Sequence, residues 1–334
     1  MIVTLTDASG CRERVSASGG SGAGPSGGRR VGGVTPALPT PADVDSAAER
    51  IAPHARRTPV LRATVDGRPV VFKLEQLQLT GSFKLRGALN ALLAGPRAER
   101  VVTASGGNHG LAVATAAGLL DLPATVYVPE SVPAAKARRI EATGAKLIRH
   151  GATYAEAAGA AKTDAAAAGR RYVPAYEDPL VIAGQGTCAA ETVRAESDVD
   201  VLVAAVGGGG LAAGTVLGAG GRPVVAAEPV GCAAFHAAVG AGAPVDSTVD
   251  SVAASALGAT RVGELPFAIL RDGASSVLVT DAEILAARDR LWEEFRLAVE
   301  PAGAVPFAAW LAGHVPGDLP CLILCGANTD WTPA

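Results

Sequence analysis

The stretch "VLVAAVGGGGLAAG", Val201 to Gly214, decides the fold class of this chain. A valine-rich apolar run comes first, four consecutive glycines follow, and a run of small residues comes after them. This order predicts a buried strand, a tight turn and then a helix. Strands that are apolar on both faces and alternate with helices are typical of parallel sheets covered on both sides.

The same alternation continues on both sides of this stretch. The other predicted strands are "VVTA" (Val101 to Ala104), "ATVYV" (Ala124 to Val128), "AKLIR" (Ala145 to Arg149), "PVVAAE" (Pro223 to Glu228) and "CLILC" (Cys321 to Cys325). The clearest helix begins at a capping box that Thr280 and Glu283 form. Its apolar stripe is predicted to contain Ile284, Ala287, Leu291, Phe295 and Ala298. The chain is therefore predicted to be an α/β protein with open, mostly parallel sheets.

Composition excludes several classes of partner. The 334 residues are 49% hydrophobic and 18% charged and carry a net charge of -3, without a basic stripe, so no nucleic-acid partner is expected. The long apolar runs are broken by glycines and lack basic flanks, which argues against a membrane span. Five cysteines without a CxxC pair indicate a reducing compartment, and a cytoplasmic location is predicted.

Three turns that follow predicted strands have unusual compositions. They are "SGGNHG" (Ser105 to Gly110), "VGGGGLAAG" (Val206 to Gly214) and "LCGANTD" (Leu324 to Asp330). In open parallel sheets, ligands bind at the carboxyl ends of the strands. The four glycines expose backbone N–H groups at a helix start and predict a phosphate site, although no Walker lysine follows. The first turn is suited to a carboxylate or phosphate, or is simply a capped tight turn.

Lys84 in "TGSFKLRGALNAL" (Thr80 to Leu92) is a further candidate site residue, because it places an amine among apolar neighbours. Its neighbours Phe83 and Leu85 are apolar, so the amine is either partly buried or an ordinary surface lysine. An amine combined with a phosphate cradle suggests pyridoxal 5'-phosphate, which lysine binds as a Schiff base.

Six blocks, "KLEQLQLTGSFKLRGA", "SGGNHG", "IAGQGTCAAE", "VGGGGLAAG", "VEPAGAV" and "LCGANTD", carry a family resemblance. In order and spacing the chain resembles the serine/threonine dehydratases, which are fold type II pyridoxal-phosphate enzymes related to the tryptophan synthase β chain. The resemblance runs from about Thr58 to Asp330.

The resemblance implies a role for each matching residue. Lys84 would form the Schiff base and Phe83 would pack beside the pyridine ring. Asn108 would donate a hydrogen bond to the 3'-oxygen of the ring, and Cys325 would face the ring nitrogen. The remaining implied contacts are Ser105, Gly106, Gly107, Asn108 and His109 for the substrate, and Gly207, Gly208, Gly209, Gly210 and Leu211 for the cofactor phosphate.

The resemblance also implies a reaction, namely β-elimination from L-threonine or L-serine to give a 2-oxo acid and ammonia. A neutral thiol at Cys325 would leave the ring a weaker electron sink, which suits elimination. Racemases of the family carry a hydroxyl residue where this chain has Gly106, so racemisation is disfavoured. A β-replacement enzyme and a dehydratase of a bulkier 3-hydroxy amino acid stay as alternatives. A remote alternative is a nicotinamide-dependent oxidoreductase, because "GQGTCA" (Gly184 to Ala189) fits a dinucleotide pattern.

The expected architecture has a flexible Gly/Ser/Pro-rich tail over residues 1–40 and two α/β domains. The large cofactor-binding domain would comprise residues 41–94 and 185–334, and the small domain residues 95–184. The resemblance suggests a homodimer. No metal site is predicted, because Glu228 matches a cation ligand of relatives but the segment 250–263 lacks the accompanying Asp-Gly.

Overall fold

The computed structural model describes residues 37–331, so most of the predicted tail lies outside the described residues. The strands are β1 (Val60–Val65), β2 (Arg68–Lys73), β3 (Arg100–Ala104), β4 (Ala124–Val128), β5 (Lys146–Arg149), β6 (Arg170–Tyr172), β7 (Val201–Ala205), β8 (Val224–Pro229), β9 (Ala274–Val279) and β10 (Pro320–Ile323). The helices are α1 (Pro41–Ile51), α2 (Lys84–Ala94), α3 (Asn108–Leu119), α4 (Ala134–Glu141), α5 (Tyr154–Ala165), α6 (Pro179–Ala195), α7 (Gly210–Gly218), α8 (Ala234–Ala241), α9 (Ala254–Leu257), α10 (Glu264–Gly273), α11 (Asp281–Phe295) and α12 (Pro301–Leu311). None of these helices is long and apolar enough to cross a bilayer.

Two sheets organise the described chain. The larger has the order β1-β2-β10-β7-β8-β9, in which only the β1–β2 pair is antiparallel. All five residues of β7 are buried, as expected for a strand covered by helices on both faces. The predicted α/β fold with mostly parallel sheets is therefore confirmed.

The smaller sheet has the order β5-β4-β3-β6 and is entirely parallel. Its four strands all fall within residues 95–184, and every strand of the larger sheet lies outside that range. The predicted boundary at residue 184 falls inside the continuous helix α6. The domain bounds stay a prediction.

Helix α11 follows the prediction at its start and departs from it at its end. Thr280 and Glu283 form the capping box. The predicted stripe continues to Phe295, whose ring packs 5.3 Å from that of Phe72. Ala298, however, is exposed and lies outside the helix. The helix stops because Arg296 adopts a left-handed conformation with φ of 57°, which the 3.6-residue spacing does not reveal.

The glycines of "GQGTCA" serve helix packing. They lie inside α6, several residues after its start, and not in a turn after a strand. A Cβ atom at Gly186 would lie 2.7 Å from the carbonyl oxygen of Gly214 in α7, and one at Gly184 would lie 2.7 Å from that of Arg86 in α2. The pattern therefore reflects close helix contact, and the dinucleotide alternative loses its basis.

Candidate active site

The larger sheet brings two of the predicted turns, those after β7 and β10, to one edge together with the Lys84 segment after β2. Strands β2, β10 and β7 are neighbours and parallel, so the segments after them meet at their carboxyl ends. Ser82 and Gly326 form a β-bridge, and the N–H of Phe83 donates to the carbonyl of Cys325 over 3.1 Å. These contacts place the start of α2, which carries Lys84, beside Cys325.

Lys84 is the first residue of α2 and is partly buried. Its Nζ donates to the carbonyl oxygen of Ala175 over 3.0 Å and lies 5.0 Å from the centre of the Phe83 ring. Burial lowers the pKa of the amine to about 8, against the opposing charge of Glu300. A substantial fraction of the amine is therefore neutral slightly above neutral pH.

The glycine loop connects β7 to α7. Gly209 has a φ of 94°, a conformation that favours glycine. A Cβ atom at Gly208 would overlap the ring of Tyr176, which packs directly on the loop. Within residues 37–331, no backbone N–H from Gly207 to Ala212 donates to an acceptor, since the first turn of a helix leaves its N–H groups unpaired. The buried Leu211 lies in this turn. The loop is thus suited to an anion.

The turn "SGGNHG" connects β3 to α3, where Asn108 is the first helical residue. The Oγ atom of Ser105 accepts from the N–H of Gly107 over 3.1 Å. The ring of His109 is buried, with Nε2 3.0 Å from the carbonyl oxygen of Val173, and burial together with the charge of Lys84 lowers its pKa to about 3. Because the neutral ring is hydrogen-bonded to Val173, the predicted contact of His109 with the substrate would be made by its backbone N–H group.

A cavity opens beside this turn. Its walls come from α3, α4, α9, the start of α12 and the turn after β10. The lining residues are Gly106, Gly107, Asn108, Leu111, Lys136, Arg139, Ile140, Ser255, Glu300 and Asn328. Of the residues that line this cavity, the sequence singled out only those of the first turn as site residues, and Lys136, Arg139, Glu300 and Asn328 were not predicted to lie beside it. Glu300 and Asn328 lie in the motif blocks "VEPAGAV" and "LCGANTD", but their polar side chains gave no sign of what they contact.

A buried ion network supports the start of α2 and was also missed. The guanidinium of Arg86 donates to both carboxylate oxygens of Glu75 and to both of Glu191, each over 2.8 Å. Lys73 completes the network with a contact of 2.8 Å to Glu191. Burial alone would raise the pKa of Glu75, but the charges of Arg86 and Lys73 lower it below its usual range. The network fixes the helix turn that carries Lys84.

Cys325 is a buried, neutral thiol. Its Sγ lies 3.5 Å from the carbonyl oxygen of Ala302, and burial together with the nearby Glu300 raises its pKa well above the ordinary value. A thiol in this state donates weakly and carries no charge.

Glu228, the residue that matches a cation ligand of relatives, is a helix cap. Its two carboxylate oxygens accept the N–H groups of Phe235 and His236, each over 2.8 Å, at the start of α8. Burial raises its pKa to about 7, against these hydrogen bonds. Within residues 37–331, no three His, Cys, Asp or Glu side chains are grouped to hold a metal ion.

Comparison with known proteins gives the family. A model described as pyridoxal-phosphate dependent enzyme matches residues 51–326, most of the chain. The chain belongs to this pyridoxal-phosphate-dependent family. Pyridoxal phosphate is accordingly its cofactor, and the nicotinamide alternative is dropped.

Proteins similar to this chain are named for different activities on amino acids. The chain is 36% identical to L-threonine ammonia-lyase of Geobacter sulfurreducens, over 86% of this chain and 75% of that protein. It is 34% identical to L-threo-3-hydroxyaspartate ammonia-lyase of Saccharomyces cerevisiae, over 88% of this chain and 94% of that protein. Its fold matches the crystal structure of serine racemase from Dictyostelium discoideum with a TM-score of 0.83 and 32% identity, over 88% of this chain and all of that chain.

The residues of this chain fit the cofactor of the family. The unpaired N–H groups from Gly207 to Ala212 are suited to its phosphate. Asn108 has an amide hydrogen that no acceptor within residues 37–331 uses, and it is suited to the ring oxygen. Lys84 supplies a buried amine, and Cys325 a neutral group. The individual contacts stay a prediction.

Proposed function

We propose that this protein is a pyridoxal-phosphate-dependent ammonia-lyase that converts L-threonine, L-serine or both into a 2-oxo acid and ammonia by β-elimination. The observation that carries the proposal is the hydrogen-bonded link between the Lys84 segment and the substrate turn. The Nδ2 atom of Asn328 donates to the carbonyl oxygen of Thr80 and to Oδ1 of Asn108, each over 2.8 Å. The Lys84 segment and the turn are thereby joined. The glycine loop packs on Tyr176, next to Ala175, whose carbonyl oxygen accepts from Nζ of Lys84.

Each group has a proposed task. The turn from Ser105 to Asn108, in which the N–H groups of Gly106 and Asn108 have no acceptor within residues 37–331, binds the substrate carboxylate. The unpaired N–H groups of Gly207 to Leu211 bind the cofactor phosphate. The bound cofactor supplies the electron sink that stabilises the carbanion left at the α-carbon. Lys84 removes the α-proton as general base, since its lowered pKa of about 8 leaves part of the amine neutral. The neutral Cys325 leaves the sink weak, which suits loss of the β-hydroxyl.

The overall reaction balances without a further reactant. Threonine loses its α-proton and β-hydroxyl as water, and hydrolysis of the released enamine returns that water and frees ammonia. Threonine therefore gives 2-oxobutanoate and serine gives pyruvate. We further propose that the protein acts as a cytoplasmic homodimer, and light scattering of the purified holoenzyme tests the dimer directly.

Racemisation is disfavoured by the space around Gly106. A Cβ atom at this glycine would lie 2.5 Å from Cγ2 of Val132, a distance that real contacts do not show. The hydroxyl residue that racemases carry there would displace the Val132 side chain. This observation supports elimination over racemisation despite the similarity to a serine racemase.

The test is a 2-oxo acid assay of the holoenzyme with L-threonine and L-serine, with the Lys84→Ala protein as control. Formation of 2-oxo acid that the control lacks is the expected result. If neither substrate gives 2-oxo acid, the lyase proposal fails. Capture of the β-carbon by added sulfide would then indicate the β-replacement alternative.

A second candidate substrate class is favoured by two cations. Lys136 and Arg139 lie three residues apart on α4 and line the cavity, and within residues 37–331 neither forms an ion pair. These two cations are suited to a 3-hydroxy amino acid with an anionic side chain. The Saccharomyces cerevisiae relative is named for such a substrate, L-threo-3-hydroxyaspartate. Arg139→Gln should then lower kcat/KM for 3-hydroxyaspartate about tenfold or more, with little effect on threonine. Equal losses for both substrates would mean that Arg139 binds only the shared carboxylate.

A further inference from the structure

The side-chain amide of Asn108 is held at both ends. Its Nδ2 donates to Oε1 of Glu300 over 2.6 Å, and its Oδ1 accepts from Nδ2 of Asn328 over 2.8 Å. Asn328 uses its other amide hydrogen on the carbonyl oxygen of Thr80 over 2.8 Å. A chain of hydrogen bonds thus runs from the Lys84 segment through both asparagines to Glu300.

The chemistry of the two ends fixes the orientation of this amide. An ionised carboxylate only accepts hydrogen bonds, so the NH₂ group of Asn108 must face Glu300. Asn328 presents only a donor, because its other hydrogen is used on Thr80. A flipped Asn108 would place donor against donor. In the observed orientation, one hydrogen of Asn108 stays available to a ligand oxygen.

Glu300 is itself rigidly placed. It stands at the N-cap of α12, is only 3% exposed, and its backbone N–H donates to the carbonyl oxygen of Gly326 over 3.1 Å. Gly326 has no room for a side chain, because a Cβ atom there would overlap the Glu300 carboxylate. The position therefore favours a carboxyl group in one fixed location.

The charged and titratable groups around this carboxyl come from three elements. They are Lys84 of α2, Lys136 of α4 and the thiol of Cys325 after β10. Burial raises the pKa of Glu300 to about 7, against the hydrogen bond from Asn108 and the charges of the two lysines. Its charge state therefore changes within the working pH range of most enzymes.

We propose that Glu300 is the positioning residue for Asn108, and that its ionised form holds the amide with the NH₂ group ready for the cofactor. Protonation of Glu300 releases this constraint, because a carboxylic acid both donates and accepts. Cofactor affinity therefore rises as pH rises through the titration of Glu300. The inference rests on the proposed placement of the cofactor beside Asn108, and it does not depend on which amino acid is the substrate.

The experiment measures cofactor binding without substrate. Apo protein with Lys84→Ala binds pyridoxal phosphate non-covalently, so titration of the lysine amine drops out. Its dissociation constant is measured by fluorescence between pH 6 and 8.5, alone and combined with Glu300→Gln. The matched control is Glu228→Gln. It alters another buried carboxylate, which caps α8 and does not contact Asn108.

The expected result is specific to Glu300. Glu300→Gln weakens cofactor binding at pH 8 by about tenfold and removes the rise with pH, while Glu228→Gln leaves both unchanged. An unchanged affinity and pH profile in Glu300→Gln overturns the proposal, as does an equal loss in Glu228→Gln. If Glu300→Gln does not fold, Asn328→Asp gives a second test, since it removes the donor to Asn108. It should weaken binding and keep the rise with pH, and unweakened binding overturns the proposal.

Discussion

Removing the buried guanidinium of Arg86 should destabilise the protein far more than removing an exposed one. Arg86 forms four contacts of 2.8 Å with Glu75 and Glu191, and its side chain has no solvent exposure. In Arg86→Met the apolar stem is largely retained, but Glu75 is left buried with only Lys73, 3.9 Å away, as a cationic neighbour. Breaking a buried ion pair from one side costs about 3–5 kcal/mol in free energy of unfolding.

The matched control is Arg62→Met. Arg62 pairs with Glu196 and Asp198, but its side chain is 49% exposed, so solvent screens the interaction. Its loss should cost at most about 1 kcal/mol. Urea denaturation followed by circular dichroism gives both free energies of unfolding from the same protocol.

A pH series separates charge from packing. In the wild type, the lowered pKa of Glu75 contributes stability above its unfolded pKa, and that contribution is lost as pH falls. Without Arg86, burial should raise the folded pKa of Glu75 instead, so ionisation costs stability as pH rises. The cost of Arg86→Met should therefore grow from pH 5 to pH 8. A cost equal to that of Arg62→Met, or one independent of pH, would refute this account of the network.

Three further predictions concern single side chains. Gly106→Ser should lower the melting temperature through its clash with Val132, and adding Val132→Ala should restore it; a Gly106→Ser protein of unchanged melting temperature would mean that the turn adapts freely. In apo protein, an aldehyde reagent should modify Lys84 half-maximally near pH 8, and a midpoint near pH 10.5 in a titration against Lys84→Ala would contradict the lowered pKa. The folded pKa of Glu228 is raised to about 7, so its stabilising contribution is present at low pH and is lost as pH rises. The free energy of unfolding of Glu228→Gln, measured by urea denaturation, should therefore gain up to about 3 kcal/mol on that of the wild type between pH 5 and 8.

The sequence determined the fold class and the main site motifs on local grounds. An apolar strand such as β7 and the glycine turn after it can be predicted from a few consecutive residues, because strand burial and turn chemistry depend on short segments. The capping box of Thr280 and Glu283 was predicted for the same reason. The end of that helix at Arg296 was not predicted, since a left-handed conformation at an arginine has no signature in the sequence.

Only the tertiary structure decided which distant side chains share the site. Glu300 contacts Asn108 across 192 positions of sequence, and Asn328 contacts it across 220. The same holds for Arg86 and Glu191, 105 positions apart. A buried polar side chain needs a hydrogen-bond partner, but the sequence does not show which residue that partner is. Tertiary packing settles that choice: neighbouring strands β2 and β10 bring Thr80 beside Asn328, and the packing of α2 on α6 brings Arg86 to Glu191.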